Sequence, residues 1–277
     1  MSCEATVERR KAISMRKLAH SSAVRKLLTS TLFPVGSVRT VFLGPCRGVR
    51  YRIFPGFGHA YLYGGWEPKS TKLMVQYVKP GGIAYDLGAN YGMHTLLLAK
   101  LVGPTGRVYA FEPNPEVLSA LDEALELNHF TTATTVQRAI SDEVGKAVFD
   151  RADHRGAGHL VTAATVPSGL TFDVETTTLD QFVFTDGNAP PDFIKVDIEG
   201  AESVALRGGL QVLARYRPIL LIELHNPAED RAVGRILKNL GYRATRVESG
   251  DFVQDMESGW PDPCGMWGSV LALPSSS

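Results

Sequence analysis

A glycine turn, Asp86-Leu87-Gly88-Ala89-Asn90-Tyr91-Gly92, most constrains what this chain can fold into. Apolar residues lead into the turn from position 83, and a run typical of a helix follows from Met93 to Leu101. A turn between a strand and a helix lies at the carboxyl end of the strand, where a parallel sheet brings its backbone close to small ligands. The pattern therefore predicts a ligand site at one edge of a sheet.

Strand-like and helix-like segments alternate beyond this turn, and the alternation predicts an α/β fold with a doubly wound, mostly parallel sheet. The expected strands are Ile83–Leu87, Val108–Glu112, Thr134–Ala139, Phe193–Ile198, Ile219–His225 and Tyr242–Val247. The expected helices are Glu67–Tyr77, Met93–Leu101, Pro115–Asn128, Ser203–Tyr216 and Asp230–Leu240. A last apolar strand, Met266–Leu273, follows Gly265 without a helix, so we expect it to pair antiparallel with the sheet edge.

Two regions depart from this rhythm. Residues 1–66 are expected to form an N-terminal extension, with a loose helix at 16–28 and short antiparallel strands between 38 and 63. Residues 67–277 are expected to form the main domain. Within that domain, the section 145–184 is rich in Thr, Val and Phe, so we expect extra strands or a hairpin there instead of a helix.

Composition narrows the function. The 29 Lys and Arg residues balance the 29 Asp and Glu residues, so the chain has no overall attraction for nucleic acid or acidic membranes. Three widely spaced cysteines make neither a disulfide framework nor a zinc knuckle and are typical of a reducing compartment. No apolar run approaches membrane-spanning length. We therefore expect a cytoplasmic protein without a transmembrane segment or a nucleic-acid partner.

The turn itself indicates the type of ligand. A dinucleotide-binding loop would read G-x-G-x-x-G, but Asn90 and Met93 stand where the second and third glycines belong. Asp86 would repel a pyrophosphate and attract a cation, and S-adenosylmethionine carries cationic sulfonium and ammonium groups. Glu112, at the end of the next strand, is placed to accept hydrogen bonds from ribose hydroxyls. S-adenosylmethionine is therefore the expected cofactor, while a nicotinamide-dependent oxidoreductase and a non-catalytic scaffold remain alternatives.

The combined motifs resemble one family. The D-x-G-A-N-x-G turn, Phe111-Glu112-Pro113-Asn114-Pro115, Asn128 and the segment Ile194–Glu202 are together similar to the FkbM family of S-adenosylmethionine-dependent methyltransferases. The similarity covers about residues 67–225 and none of the first fifty. It implies a class I methyltransferase sheet with a reversed last strand. It also implies methyl transfer to oxygen, on a small-molecule, glycan or lipid-like acceptor.

The cofactor is expected to contact residues from several strand ends. Some of them have structural alternatives: Glu67 as an acid at a helix start, Asn114 in an Asx-turn and Ser141 as a helix cap. The glycines at 88 and 92 need no more than turn geometry. The full set of expected cofactor-binding residues is Glu67, Asp86, Gly88, Asn90, Gly92, Glu112, Asn114, Ser141 and Asp197.

The catalytic groups are expected on the two later strands. Alternation places Asp197 and Glu199 at the ligand edge, and the next strand brings Glu223 and His225 to the same edge. His225 is the first candidate for the base that takes the acceptor proton, because an unperturbed imidazole titrates near neutral pH. Asp197 is the second candidate, and Glu199 completes the catalytic set.

A metal mechanism is the rival. Asp197 and Glu199, together with Glu223 or His225, would hold Mg²⁺ and lower the pKa of the acceptor hydroxyl. The spacing of these residues does not by itself prescribe a metal cage. The N-terminal fifty residues, the section 145–184 and the loop 249–264 are expected to shape the acceptor pocket.

Overall fold

The structure is a computed structural model that describes residues 33–54, 59–151, 158–161, 169–253 and 268–275. The helix expected at 16–28 and most of the loop 249–264 lie outside the described residues. Within the described ranges, no helix has both the length and the apolar character that crossing a bilayer requires.

In chain order, the strands are β1 (Val38–Thr40), β2 (Arg50–Arg52), β3 (Ile83–Leu87), β4 (Arg107–Phe111), β5 (Ala133–Val136), β6 (Ala139–Ile140), β7 (Gly145–Asp150), β8 (His159–Leu160), β9 (Thr171–Thr177), β10 (Phe193–Val196), β11 (Ile219–Leu224), β12 (Tyr242–Arg246) and β13 (Gly268–Pro274). The α-helices are α1 (Pro68–Tyr77), α2 (Met93–Val102), α3 (Pro115–Asn128), α4 (Glu202–Arg207), α5 (Leu210–Tyr216) and α6 (Pro227–Asn239). Short helical turns of other types lie at His59–Tyr63 and Gln181–Thr185.

A seven-stranded sheet lies at the centre, in the order β12-β13-β11-β10-β3-β4-β5. The five strands from β11 to β5 pair in parallel, and β13 is antiparallel to both of its neighbours. This is the class I methyltransferase sheet with a reversed last strand, so the predicted fold is confirmed. Because the inner strands run in parallel, their carboxyl ends and the turns after them meet at one edge.

The position of the last strand differs from the prediction. β13 lies between β11 and β12 and not at the edge of the sheet. Val270 and Ala272 are fully buried, and Leu271 is nearly so. At an edge, one side of this apolar strand would leave its backbone groups unpaired, whereas here the strand pairs on both sides.

Two predicted elements are split in the structure. The helix expected over Ser203–Tyr216 breaks at Gly208 and Gly209. A Cβ on Gly208 would lie 2.0 Å from the Ser141 carbonyl oxygen, and one on Gly209 would lie 2.7 Å from the Leu179 side chain. This close packing explains why glycines separate α4 from α5. The strand expected over Thr134–Ala139 likewise divides into β5 and β6, which belong to different sheets.

The section after β5 forms a second sheet with the order β6-β9-β7-β8. β9 pairs in parallel with β6 and antiparallel with β7, and β7 pairs antiparallel with β8. Extra strands predicted within 145–184 are thus confirmed, and the helical turn at Gln181–Thr185 was not foreseen. We call β6–β9 the inserted sheet.

The described part of the N-terminal region packs on the main domain. β1 and β2 form the expected antiparallel pair, and the backbone N–H of Arg50 donates to Asn128 Oδ1 at 2.7 Å. Tyr51 and Leu62 are buried in one core cluster with Leu121 of α3. These side chains share a core with the sheet domain. A domain boundary at residue 66 stays a prediction.

Candidate active site

The glycine turn lies at the carboxyl end of β3, as predicted. Gly88 has φ +83°, and a Cβ at that position would stand 1.8 Å from the Asp197 carbonyl oxygen, so only glycine fits between β3 and β10. Asn90 also has a left-handed backbone, with φ +49°. Gly92 is the N-cap of α2, and a Cβ there would meet Leu121 Cδ1 at 2.3 Å. The turn is thus closely packed at both glycines, by the Asp197 backbone and by the Leu121 side chain.

Glu112 directly follows β4 and faces this turn. Its Oε2 accepts the backbone N–H of Asn90 at 3.0 Å, and its Oε1 accepts that of Asn114 at 2.9 Å. Burial raises the pKa of Glu112 to about 7, against the lowering effect of these two hydrogen bonds. Each carboxylate oxygen has two lone pairs, so both oxygens retain acceptor capacity for a ligand hydroxyl.

A cavity opens beside Glu112 and encloses about 580 Å³ of empty space, its open mouth included. We call it the first cavity. The turn, the β4 end, the inserted sheet and the segment after β10 all contribute to its wall. Its lining residues are Gly88, Asn90, Phe111, Glu112, Pro113, Arg138, Ala139, Ile140, Phe149, Gly158, His159, Leu160, Asp197, Ile198, Glu199 and Ala201.

Lys195 joins two carboxylates beneath this cavity. The ammonium group is almost fully buried, 2.7 Å from Asp197 Oδ2 and 4.0 Å from Asp86 Oδ1. Burial by itself would lower the pKa of Lys195, but the nearby carboxylates of Asp197, Asp86 and Glu67 outweigh it, so the pKa lies above its usual value. Burial opposes ionisation of Asp197 too, yet the Lys195 cation outweighs this and lowers the pKa of Asp197.

His225, just after β11, is enclosed by three carboxylates. Its Nδ1 lies 2.8 Å from Glu202 Oε1, and its Nε2 lies 3.4 Å from both Asp197 Oδ1 and Glu199 Oε2. Burial acts to lower the pKa of His225, but the Glu202 hydrogen bond and the surrounding negative charge raise it to about 9. The imidazole is therefore protonated at neutral pH. The reason for choosing His225 as a base, an unperturbed imidazole, does not apply in this structure.

A second cavity lies beside Glu223, near the end of β11. Its empty volume is about 740 Å³, open solvent included, and we call it the second groove. Burial, followed by the charges of Asp197 and Glu67, raises the pKa of Glu223 to about 7. Lys69 and Glu248 form an ion pair of 2.9 Å at its rim. The lining residues are Glu67, Pro68, Lys69, Ser70, Glu223, Glu248, Gly268 and Ser269.

Glu67 lines the second groove and not the first cavity. It has a left-handed backbone, with φ 35°, immediately before Pro68 at the start of α1. Its Oε2 lies 3.4 Å from His94 Nε2. Burial and the nearby Lys195 cation lower the pKa of His94 to about 3, so this imidazole is neutral. Glu67 thus lies between α2 and the second groove.

A small group of side chains lies between the two cavities, and we call this group the junction. Asp197 lines the first cavity and Glu223 the second groove. Ligand atoms of Asp197, Glu223 and His225 lie within 4.8 Å of one another, a spacing that can hold a metal ion. The sequence pattern gave Asp197 and Glu199 with either Glu223 or His225, whereas this set contains both Glu223 and His225 and lacks Glu199. Lys195 and the protonated His225 already supply positive charge there.

Four residues expected to contact a cofactor line neither cavity. Asp86 is fully buried on the sheet face covered by α2, where its Oδ2 accepts from Thr95 Oγ1 at 2.6 Å. Gly92 packs against α3. Asn114 is the N-cap of α3 and accepts the Glu116 N–H at 3.0 Å. The Ser141 backbone is held by Thr177 and Gly208. In this conformation, these residues hold the structure around the cavity, and direct contact with a ligand stays a prediction.

Sequence reasoning missed other residues at the site. Phe149, Gly158 and Leu160 line the first cavity from the inserted sheet. Their sequence pattern signals strands but not a ligand, because the cavity appears only when β7 and β8 fold back beside β6. Glu202 is fully buried and orients His225. Glu202 follows Glu199 by three residues, at the start of α4. This spacing, which can bring two side chains together, was the signal that the sequence offered.

Comparison with known proteins agrees with this geometry. The model of the methyltransferase FkbM domain matches residues 86–244. The hexuronic acid methyltransferase AglP of Haloferax volcanii is 24% identical over 171 residues, which are 62% of this chain and 67% of the relative. The 31-O-demethyl-FK506 methyltransferase FkbM of Streptomyces tacrolimicus is 41% identical over 68 residues, 24% of this chain and 25% of the relative.

Among solved structures, the methyltransferase FkbM from Methylobacillus flagellatus has a TM-score of 0.44 and 18% identity. The match covers 78% of this chain and 53% of that one, so only about half of that protein is represented here. The family-model match begins at Asp86, near the end of β3, and ends within β12. It spans more than half of this chain. The chain therefore belongs to the FkbM methyltransferase family.

Proposed function

We propose that this methyltransferase uses S-adenosylmethionine and methylates an oxygen of a small-molecule, glycan or lipid-like acceptor. The observation that carries the proposal is that Asp197 of the first cavity and Glu223 of the second groove place carboxylate oxygens within 4.8 Å of each other. One cavity has a carboxylate and apolar side chains in its wall, as a nucleoside requires, and the other is an open groove whose wall carries four charged side chains. A methyl group passing between two bound molecules needs such a junction, because catalysis of this kind depends on holding both reactants together.

The residues of the first cavity fit S-adenosylmethionine. Gly88 lines this cavity with backbone atoms alone. The carboxylate of Glu112 retains acceptor sites for ribose hydroxyls. Carboxylates also outnumber cations around the junction, since Lys195 and His225 face Glu67, Asp86, Asp197, Glu199, Glu202 and Glu223. This surplus of negative charge favours a cationic ligand. When bound, S-adenosylmethionine supplies an electrophilic methyl group.

The acceptor hydroxyl would lose its proton to Glu223. A carboxylate whose pKa is about 7 is partly ionised at neutral pH and is a stronger base than an ordinary glutamate. Asp197 is the alternative base, although its salt bridge with Lys195 weakens its basicity. His225, held as an imidazolium by Glu202, would orient Asp197 and Glu199. These roles follow from the charges around each group.

The second groove favours some acceptors over others. Its wall carries the carboxylates of Glu67, Glu223 and Glu248, and Lys69 is already paired with Glu248. An anionic acceptor would be repelled, whereas hydroxyl groups can donate to the carboxylates. Neutral polyhydroxylated acceptors, such as a glycan, are therefore preferred to acidic ones. The relatives named as methyltransferases of a hexuronic acid and of 31-O-demethyl-FK506 support the broad class only.

Calorimetry with S-adenosylhomocysteine and with NAD tests the cofactor. We expect binding of the first and little binding of the second, and comparable affinities would contradict the assignment. Transfer of labelled methyl from S-adenosylmethionine to fractionated cell extract then tests catalysis, and a lack of any labelled product would favour a non-catalytic scaffold. Label that survives mild alkali indicates a methyl ether, since methyl esters hydrolyse under those conditions.

Chelation separates the proton-transfer mechanism from the Mg²⁺ alternative. If Glu223 takes the proton, exhaustive treatment with EDTA leaves the rate of label transfer unchanged, and added Mg²⁺ has no effect. A rate that collapses on chelation and returns with Mg²⁺ would instead place a metal at Asp197, Glu223 and His225.

A further inference from the structure

The inserted sheet contributes one wall of the first cavity. Phe149 of β7, His159 and Leu160 of β8, and Gly158 line the same space as Glu112. The second groove, in contrast, is lined by residues 67–70, 223, 248 and 268–269, with none from 139–184 among the described residues. The described part of the insertion therefore faces the cofactor side of the junction, although the sequence had indicated the acceptor side.

The pairing of the strands explains how these side chains come together. Phe149 of β7 lies opposite Leu160 of β8 in the antiparallel register. Phe149 is only 5% exposed and packs with Ala139 and Val174 in a small core. A Cβ on Gly158 would stand 2.5 Å from Phe149 Cζ, so glycine lets the chain lie directly against the ring. The wall is thus a built feature of the inserted sheet.

The lining of the first cavity combines two kinds of group. Ile140, Phe149 and Leu160 contribute apolar surface, and Glu112 contributes a carboxylate. A purine nucleoside has the same division, because its base presents a flat face with apolar character and its ribose presents hydroxyls. Aromatic and aliphatic side chains gain free energy by covering such a face.

We propose that the inserted sheet forms the base-binding wall of the cofactor site, with Leu160 and Phe149 contacting the adenine. The inference rests on the proposed function, since it assumes that the first cavity holds an adenosyl group. It assigns a binding role to a region whose sequence carries no ligand motif. It also leaves the acceptor to the second groove and to the junction at Glu223.

The test is calorimetry with S-adenosylhomocysteine and with adenosine on the full chain. Leu160→Ala should weaken both ligands by roughly tenfold, because the truncation removes apolar contact with the base that the ligands share. Val148→Ala is the matched control: Val148 is the neighbour of Phe149 on β7 and is 42% exposed. The affinity of Val148→Ala for both ligands should stay within about twofold of that of the wild type.

A second variant covers a loss of folding. If thermal unfolding shows that Leu160→Ala loses the inserted sheet, Leu160→Val removes less volume and should weaken both ligands by roughly threefold. A folded Leu160 variant that binds both ligands with wild-type affinity would overturn the inference. A variant that binds S-adenosylhomocysteine more weakly but adenosine with unchanged affinity would also overturn it. Failure of the wild type to bind S-adenosylhomocysteine would instead overturn the proposed function, so the two failures are distinguishable.

Discussion

The first cavity and the second groove differ in how they are built. The first cavity combines backbone, apolar side chains and the Glu112 carboxylate, whose two oxygens are held by backbone N–H groups. Four of the eight residues that line the second groove are charged, namely Glu67, Lys69, Glu223 and Glu248. The first cavity is thus built on backbone and packed side chains, whereas the second groove is open and carries charges on its wall. This difference supports the proposed assignment of the cofactor to the first cavity and of the acceptor to the second groove.

The junction between them is an electrostatic network. Lys195 lies between Asp86 and Asp197, and His225 lies between Asp197 and Glu202. Removing one member of a buried network leaves its partner charged and uncompensated, which costs more than the pair contributes. Substitutions at the junction should therefore affect stability, while substitutions in either cavity should affect the binding of one ligand.

The largest effect is expected from the charge on His225. Its pKa in the folded protein, about 9, exceeds the ordinary histidine value of 6.5, so the imidazolium stabilises the fold below pH 6.5, and this contribution is lost as the pH rises through 9. His225→Gln has no such group. The wild type should lose roughly 3 kcal/mol relative to this variant between those pH values, measured by urea unfolding.

An exposed histidine provides the control for that experiment. His129 lies at the C-terminus of α3 with a left-handed backbone, which asparagine tolerates. His129→Asn should follow the wild type across the whole pH range. Wild-type and His225→Gln stabilities that run parallel from pH 6 to pH 9.5 would show that His225 is not held as an imidazolium.

The first cavity should respond most to loss of Glu112. Glu112→Ala is expected to weaken S-adenosylhomocysteine by about 100-fold, because hydrogen bonds to a charged group contribute about 1.5–3 kcal/mol each. Glu116→Ala removes an exposed acid four residues away, and Glu248→Ala removes an acid of the second groove. Calorimetry should find both controls within about twofold of the wild type. A similar loss in Glu248→Ala would break the division between the two cavities.

The pH dependence of cofactor affinity sharpens the same assignment. The pKa of Glu112 is about 7, and the ionised form is the better hydrogen-bond acceptor. Affinity for S-adenosylhomocysteine should therefore rise with pH and level off above 7, with a change of about tenfold between pH 6 and pH 8. In Glu112→Gln the dependence should disappear. A variant that retains the slope would assign the titration to another group, such as Glu223.

The sequence predicted the fold well because its signals are local. Apolar runs, glycine turns and helix caps such as Asn114 each act over a few residues, and α3 has the predicted bounds. The reversed β13 was also predicted, but its place between β11 and β12 depends on pairing across distant segments. The broken α4–α5 helix depends on the contacts of Gly208 with Ser141, which no local pattern records.

The site was predicted in part for the same reason. Gly88 and Glu112 were found because strand ends of a parallel sheet share an edge, and both line the first cavity. Alternation along β3 places Asp86 under α2, where it accepts a hydrogen bond from Thr95. The motif alone did not reveal this position. The pKa of His225 depends on three carboxylates brought together by folding. Local sequence cannot report such a sum of charges.

The smallest effect is expected from deletion of residues 1–32. In the described residues, the first cavity begins at Gly88 and the second groove at Glu67. The contacts that fix β2 to α3, including the hydrogen bond from Arg50 to Asn128, also remain after the deletion. Cofactor affinity should therefore stay within about twofold of the full chain, since every lining residue among the described ones is retained. A truncated protein that unfolds at the wild-type temperature yet binds S-adenosylhomocysteine tenfold more weakly would contradict this, and would show that the N-terminal segment belongs to the cofactor side.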